Sequence, residues 1–396
     1  MLNFVYHSHT KIIFGHGVEN GVGEECKAHG AKKLLVAHGV KSAEESGLLG
    51  RVLESLKAAG LEYVVKGGVQ PNPRIGLVNE CIKLCKEENV DFLLAVGGGS
   101  VIDTCKGVAL ALASGLDDAW PIYTGDYVAT DIYPVGVVLT QPASGSEASW
   151  TTVITNPEGG LKRSFTRDFV RPKFAMLDPE LCATLPKFQK ACGVVDTLMH
   201  TMDRYFAAIH EDTEITDAIG EALMRTTIKY ADAYMDEADN YDAASQIMWA
   251  ASISHNNLTG CGKGFGDWAC HQIEHEISGM YEQVAHGAGL TAIWGSWARY
   301  ASQDDYSKMA RFARNVWGIE DSDDKTAALS GIERTEEFFR HLGMPTSIPE
   351  LGLGILPEET ITELANKAVF YGKRTTGNYR VLDANGVADV LRAANK

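Results

Sequence analysis

The chain has 396 residues, 45% of them hydrophobic and 22% charged, with a formal net charge of -16. That is the composition of an ordinary folded protein, and its length exceeds what one hydrophobic core normally serves, so two domains are expected. The acidic balance argues against nucleic acid and anionic membrane surfaces as general partners, because a negative surface repels both unless basic residues are concentrated locally.

The N-terminal stretch MLNFVYHSHTKIIFGHG lacks the basic region, apolar run and small-residue cleavage site of a secretory signal. No run is long and apolar enough to span a bilayer. Eight cysteines lie scattered without disulfide-framework spacing, which fits a reducing cytoplasm. A thiolate zinc site at Cys81 and Cys85, or at Cys261 and Cys270, is a minor alternative.

KKLLVAH, LEYVVKG, VDFLLAVGG and YPVGVVLTQ read as buried strands. The amphipathic stretches SGLLGRVLESLKAAG and RIGLVNECIKLCKEEN alternate with them, the pattern of a parallel sheet with crossover helices. From about Lys187 the texture changes to long helical runs, among them TEITDAIGEALMRTTIKYADAYMDE, DAASQIMWAASISHN and KTAALSGIERTEEFFRHLG. The expected organisation is an α/β domain over residues 1–186 and an all-helical domain over residues 187–396. Pro186 marks the break and a cleft is expected between the two.

Within VDFLLAVGGGSVIDTCKGVALAL, a strand runs into Gly97, Gly98 and Gly99, and a helix opens at Ser100. Removing three β-carbons lets a pyrophosphate approach backbone N–H groups at the positive end of a helix dipole. Ser100 and Asp103 also have the spacing of a capping-box variant, so helix capping competes with ligand contact as their role. The second small-residue loop follows Thr140 in PASGSE, where Ser144 and Ser146 fit beside a phosphate or flat ring, or simply form a surface turn.

In VVDTLMH, Asp196 and His200 lie four residues apart, so on a helix both point from one face. His271 and His275 repeat that spacing, and His286 follows in YEQVAHG. One carboxylate and three imidazoles suit a borderline divalent ion, Fe2+ or Zn2+. Trp150, Phe265 and Trp268 are candidates to line an apolar substrate site, with core packing as the competing role.

The ordered set PNP (Pro71 to Pro73), GGGSVIDTCK, PASGSE, DTLMH and HQIEH to AHG resembles the iron-containing, group III alcohol dehydrogenases over nearly the whole chain. Within them it looks most like the NADPH-dependent butanol dehydrogenase and aldehyde reductase branch. The resemblance implies a dehydroquinate synthase-like fold and metal ligation by Asp196, His200, His271 and His286, with His275 beside the ion as an unligated catalytic residue. YEQVAHG carries an apparent one-residue insertion before His286, and the following Gly287 keeps the assignment there. Cofactor contacts are expected from Gly39, Lys41, Ser42, Asn72, Gly97, Gly98, Gly99, Ser100, Asp103, Thr140, Ser144, Ser146 and Lys162, with Asp103 also a catalytic candidate.

In LLVAHGVKSAEESG, Gly39 stands where an acidic residue would bond the ribose 2'-hydroxyl. Lys41 and Ser42 follow, which favours NADP(H). NAD(H) is the alternative if Glu44 or Glu45 faces the ribose. The implied reaction is reversible hydride transfer between NADP(H) and a small primary alcohol or aldehyde, by a cytoplasmic protein that is at least a homodimer. A polyol- or lactaldehyde-type dehydrogenase, a metallohydrolase and a non-catalytic nucleotide-binding protein are the competing readings.

Overall fold

Strands β2 (Lys33–Gly39), β4 (Phe92–Gly97), β5 (Val135–Leu139) and β8 (Phe174–Leu177) are almost continuously buried, mostly apolar runs. Such runs form the middle of a parallel sheet covered on both faces. The computed structural model, which describes residues 1–208, 211–236 and 240–396, places them there. With β1 (Lys11–Phe14) and β3 (Glu62–Val69) at its edges, the sheet has the order β1-β8-β5-β4-β2-β3, and every pairing is parallel. Helices Leu48–Ala58 and Ile75–Glu88 occur where periodicity predicts them. Val36, Leu56, Phe92, Leu94, Val138 and Phe174 belong to one core cluster of this unit.

The chain runs from β2 outward to β3, then returns to lay β4 on the other side of β2. This reversal is a topological switch point, where the C-terminal ends of neighbouring strands leave room for a ligand. His38 pairs with Val96, so the turns after Gly39 and after Gly97 emerge side by side.

The antiparallel hairpin of β6 (Thr151–Asn156) and β7 (Leu161–Thr166) forms a separate two-stranded sheet. It was not anticipated from the sequence, although its NPEGG turn carries a clear breaker signal.

The chain divides into two compact units near Pro186, but not by a single cut. Met1–Tyr6 belongs to the helical unit, and helix Tyr241–His255 belongs to the α/β unit. This division differs from the expected 1–186 and 187–396 in those two segments. The cause for the helix is local to PASGSE. Gly145 has φ +62°, and a β-carbon there would lie 2.6 Å from the Ala251 carbonyl oxygen and 2.7 Å from the His255 β-carbon. Ser252 Oγ also donates to Glu147 at 2.6 Å. A helix in that much contact with the loop is part of its scaffold.

In the helical unit, helix His286–Ala301 packs against Lys187–Tyr205, Ala269–Met280, Asp324–His341 and Ala384–Ala394. Trp294, Trp297, Phe206, Phe312 and Phe339 are buried around it. Among the described residues no helix is long and apolar enough to cross a membrane.

Candidate active site

Two of the three ligand-bearing helices begin for identifiable reasons. Lys187–Tyr205 starts immediately after Pro186, whose fixed φ suits a helix entry. Ala269–Met280 follows the glycine turns of GCGKGFGDW, and Asp267 Oδ1 accepts the Ala269 N–H at 2.9 Å. Helix His286–Ala301 approaches both closely because AHGAG supplies two missing side chains. A β-carbon on Gly287 would lie 2.8 Å from Cys192 Cα, and one on Gly289 would lie 2.8 Å from Glu274 Cγ.

This packing gathers the four expected ligands. Asp196 Oδ1 lies 3.5 Å from His200 Nδ1, 3.5 Å from His271 Nε2 and 3.7 Å from His286 Nε2. Donors about 2.1 Å from a tetrahedral ion sit about 3.4 Å apart, so the spacing matches a shared cation better than direct hydrogen bonds. Asp196 Oδ1 and His271 Nε2, both buried, make no hydrogen bond among the described residues. The donor set therefore fits one divalent ion. The longer spacing before His286 is absorbed in a turn, with the Val284 N–H bonded to the Tyr281 carbonyl at 2.9 Å. His275 is half-buried, its ring 6.4 Å from that of His271 and 5.5 Å from that of His286.

Two residues that sequence reasoning missed complete the centre. Asp203 bonds His271 Nδ1, and Glu274 bonds His286 Nδ1. Each carboxylate is buried. This arrangement fixes the tautomer and ring orientation so that the opposite nitrogen faces the ion. Burial pulls the His271 pKa down, but Asp203 and Asp196 outweigh it and hold it up at about 9. Burial, with Asp203 next, pushes the Asp267 carboxyl up to about 7. Loss of the Asp203 charge should loosen the ion rather than the fold: Asp203→Asn is expected to weaken metal affinity about 10- to 100-fold, measured by competition with a chromophoric chelator.

The aromatic candidates divide between the units. The Trp268 ring lies 5.3 Å from His271 and carries the Arg204 guanidinium 4.6 Å from its centroid. Phe265 is 69% exposed. Trp150 belongs to the α/β unit, under Arg171. All eight cysteines are free, and among the described residues no clustered donor group includes one, so the thiolate zinc alternative falls.

In the α/β unit the glycine turn behaves as its composition implies. Helix Gly99–Ala113 starts one residue earlier than expected, with Gly98 at its N-cap and no side chain capping its first N–H groups. Ser100 is half-buried at this helix start, and Thr140 N–H bonds the Gly97 carbonyl at 3.2 Å. A β-carbon on Gly99 would lie 2.3 Å from Ser144 Oγ, so the two small-residue loops touch. Asn72 and Lys162 also come together, with Lys162 Nζ donating to Asn72 Oδ1 at 3.0 Å.

Asp103 is tied to the second loop. Its oxygens accept from Ser146 Oγ at 2.6 Å and from the Val153 N–H at 3.1 Å, and it does not cap its own helix. Lys106, which sequence reasoning passed over, lies fully buried beneath the loop. Its Nζ donates to the Ser146 carbonyl (2.7 Å), Ser146 Oγ (3.0 Å), the Ser149 carbonyl (3.0 Å) and the Thr151 carbonyl (2.9 Å).

A parallel sheet with an uncapped glycine turn at its switch point, and a histidine–carboxylate cluster built for a divalent ion, are the parts of a metal-dependent, nucleotide-using oxidoreductase. Residues 9–179 match the family described as iron-containing alcohol dehydrogenase, and residues 190–395 match the C-terminal part of the Fe-containing alcohol dehydrogenase family. The chain is 36% identical to NADH-dependent butanol dehydrogenase A of Clostridium acetobutylicum, over 99% of both chains. It is also 36% identical to NADPH-dependent aldehyde reductase YqhD of Escherichia coli, over 89% of this chain and 90% of that one. The crystal structure of NADH-dependent butanol dehydrogenase A from Thermotoga maritima, 35% identical, matches with a TM-score of 0.94 over 100% of this chain and 99% of that one. The chain belongs to the iron-containing alcohol dehydrogenase family. With the family comes the class of activity, NAD(P)-dependent interconversion of alcohols and aldehydes with a divalent metal.

Proposed function

We propose that this protein reduces small aldehydes to primary alcohols, and the reverse, with NADP(H) as the nicotinamide and Asp196, His200, His271 and His286 as the metal ligands. The observation that carries the reading is the ring of three imidazole nitrogens 3.5 to 3.7 Å from Asp196 Oδ1. When bound there, Fe2+ or Zn2+ supplies Lewis acidity that draws electron density from the substrate oxygen and makes the carbonyl carbon a hydride acceptor.

The chain's own residues do the rest. Asp196 contributes the one negative charge among the ligands, and Asp203 and Glu274 hold two imidazoles in the orientation ligation needs. The Gly97–Ser100 turn presents backbone N–H groups to the pyrophosphate, which fixes the nicotinamide for transfer. The imidazole of His275 passes a proton between the substrate oxygen and solvent. The butanol dehydrogenases and the aldehyde reductase among its relatives support a short aliphatic substrate. Consumption of NADPH on adding butanal to protein loaded with Fe2+ without oxygen, or with Zn2+, tests the reading. No absorbance change across a short aldehyde series overturns it.

For the nicotinamide, β2 ends at Gly39 with no acidic side chain, and Lys41 and Ser42 follow at the surface. Glu44 is turned toward His38, its carboxylate 3.5 Å from His38 Nε2. The relatives' names include both nicotinamides, so this turn is the discriminating element. Gly39 has room, since an added β-carbon meets nothing closer than the Val69 carbonyl at 3.8 Å. Gly39→Asp is expected to lower kcat/KM for NADPH relative to NADH by at least about tenfold, because a carboxylate bonds a ribose hydroxyl and repels a 2'-phosphate.

A further inference from the structure

His7 and His9 are separated by one residue in an extended N-terminal segment, a spacing that puts both side chains on one side of the chain. Their rings lie 5.1 Å apart. His7 Nδ1 is 3.1 Å from Asp168 Oδ2, and one donor atom from each of His7, His9 and Asp168 lies within 4.8 Å of the others. All three belong to the α/β unit, and none of them is among the donors grouped with Asp196.

From this geometry we propose a second divalent-metal site, formed by His7, His9 and Asp168. Two imidazoles and one carboxylate suit a borderline ion such as Zn2+ or Ni2+, with the remaining positions filled by water. The two rings are held beside this acid separately, His7 by Asp168 itself and His9 by the Arg171 carbonyl, which lies 3.4 Å from its Nε2. The carboxylate is held in place rather than loose. Its other oxygen takes the Nε of Arg171 at 3.1 Å, and that side chain is 1% exposed, bonded also to the Ala148 and Asn256 carbonyls. His7 and Asp168, at 61% and 46% side-chain exposure, leave the ion open to solvent.

An ion there would tie the segment leading into β1 to the turn Asp168–Val170, and would stabilise the fold by mass action. It would also add a metal equivalent that has no part in the chemistry. The test is calorimetric titration with Zn2+ of full-length protein whose Asp196 centre is already saturated with Zn2+. One further equivalent is expected for the wild type and none for His7→Gln or His9→Gln, with aldehyde turnover unchanged in both. Should His9→Gln fail to fold, His7→Gln at its exposed position decides alone. No further equivalent in the wild type, or one that persists in His7→Gln, overturns the site.

Discussion

Asp196→Ala is expected to lose both the metal and the turnover. Asp196 Oδ1 is the atom around which the three imidazole nitrogens lie at 3.5 to 3.7 Å, and it carries the only negative charge in that ligand set. Three neutral imidazoles remain in the variant, an arrangement that still binds zinc in other sites but here lacks the charge that offsets the ion. Lewis acidity is worth several kcal/mol of barrier, and each 1.36 kcal/mol is tenfold, so kcat/KM for aldehyde reduction should fall by about a thousandfold or more. NADPH affinity should change little, because the Gly97–Ser100 turn proposed to hold the pyrophosphate belongs to a different unit. The decisive measurement pairs metal content per chain with fluorescence titration of NADPH. A variant that keeps one ion and full turnover removes Asp196 from the ligand set.

How much of this was legible in the sequence depends on how local each feature is. The Asp196 and His200 pair, and His271 with His275, could be read because four-residue spacing is a property of one helix. His286 could not be placed by spacing, since its position depends on Gly287 and Gly289 letting its helix approach Cys192 and Glu274. Asp203 was within reach: it is seven residues from Asp196 on the same helix, and so on the same stripe. Glu274, three residues beyond His271, carries the same signal. Asp103 shows the opposite case. A local capping rule fitted it, but Ser146 and Val153, more than forty residues away, claimed its oxygens. Likewise the helical run Tyr241–His255 reads as a helix without saying which unit it completes, and Gly145 and Glu147 decide that.

Lys106→Met is expected to be the most destabilising single change in the α/β unit. In sequence Lys106 passes for a solvated helix lysine, yet VALALA continues its helix with apolar residues on every side, the mark of a buried helix. Methionine matches its volume while removing the donor to three carbonyls and to Ser146 Oγ. It also removes the positive charge nearest to Asp103 and Glu147, both of which burial already pushes upward, Asp103 to about 6. Breaking one side of a buried charged network costs about 3–5 kcal/mol, which at this size lowers Tm by roughly 10 °C. Because the PASGSE segment hangs from this ammonium, KM for NADPH should rise as well. The pH dependence gives the mechanism away. A carboxyl whose folded pKa lies above its unfolded value binds more protons in the folded state, so the cost of the stranded Asp103 is present above that pKa and is relieved as pH falls through it. The stability gap between wild type and variant should therefore narrow from pH 8 to pH 5 in urea titrations; a gap independent of pH would mean that lost hydrogen bonds, and not the unpaired carboxylate, account for the damage.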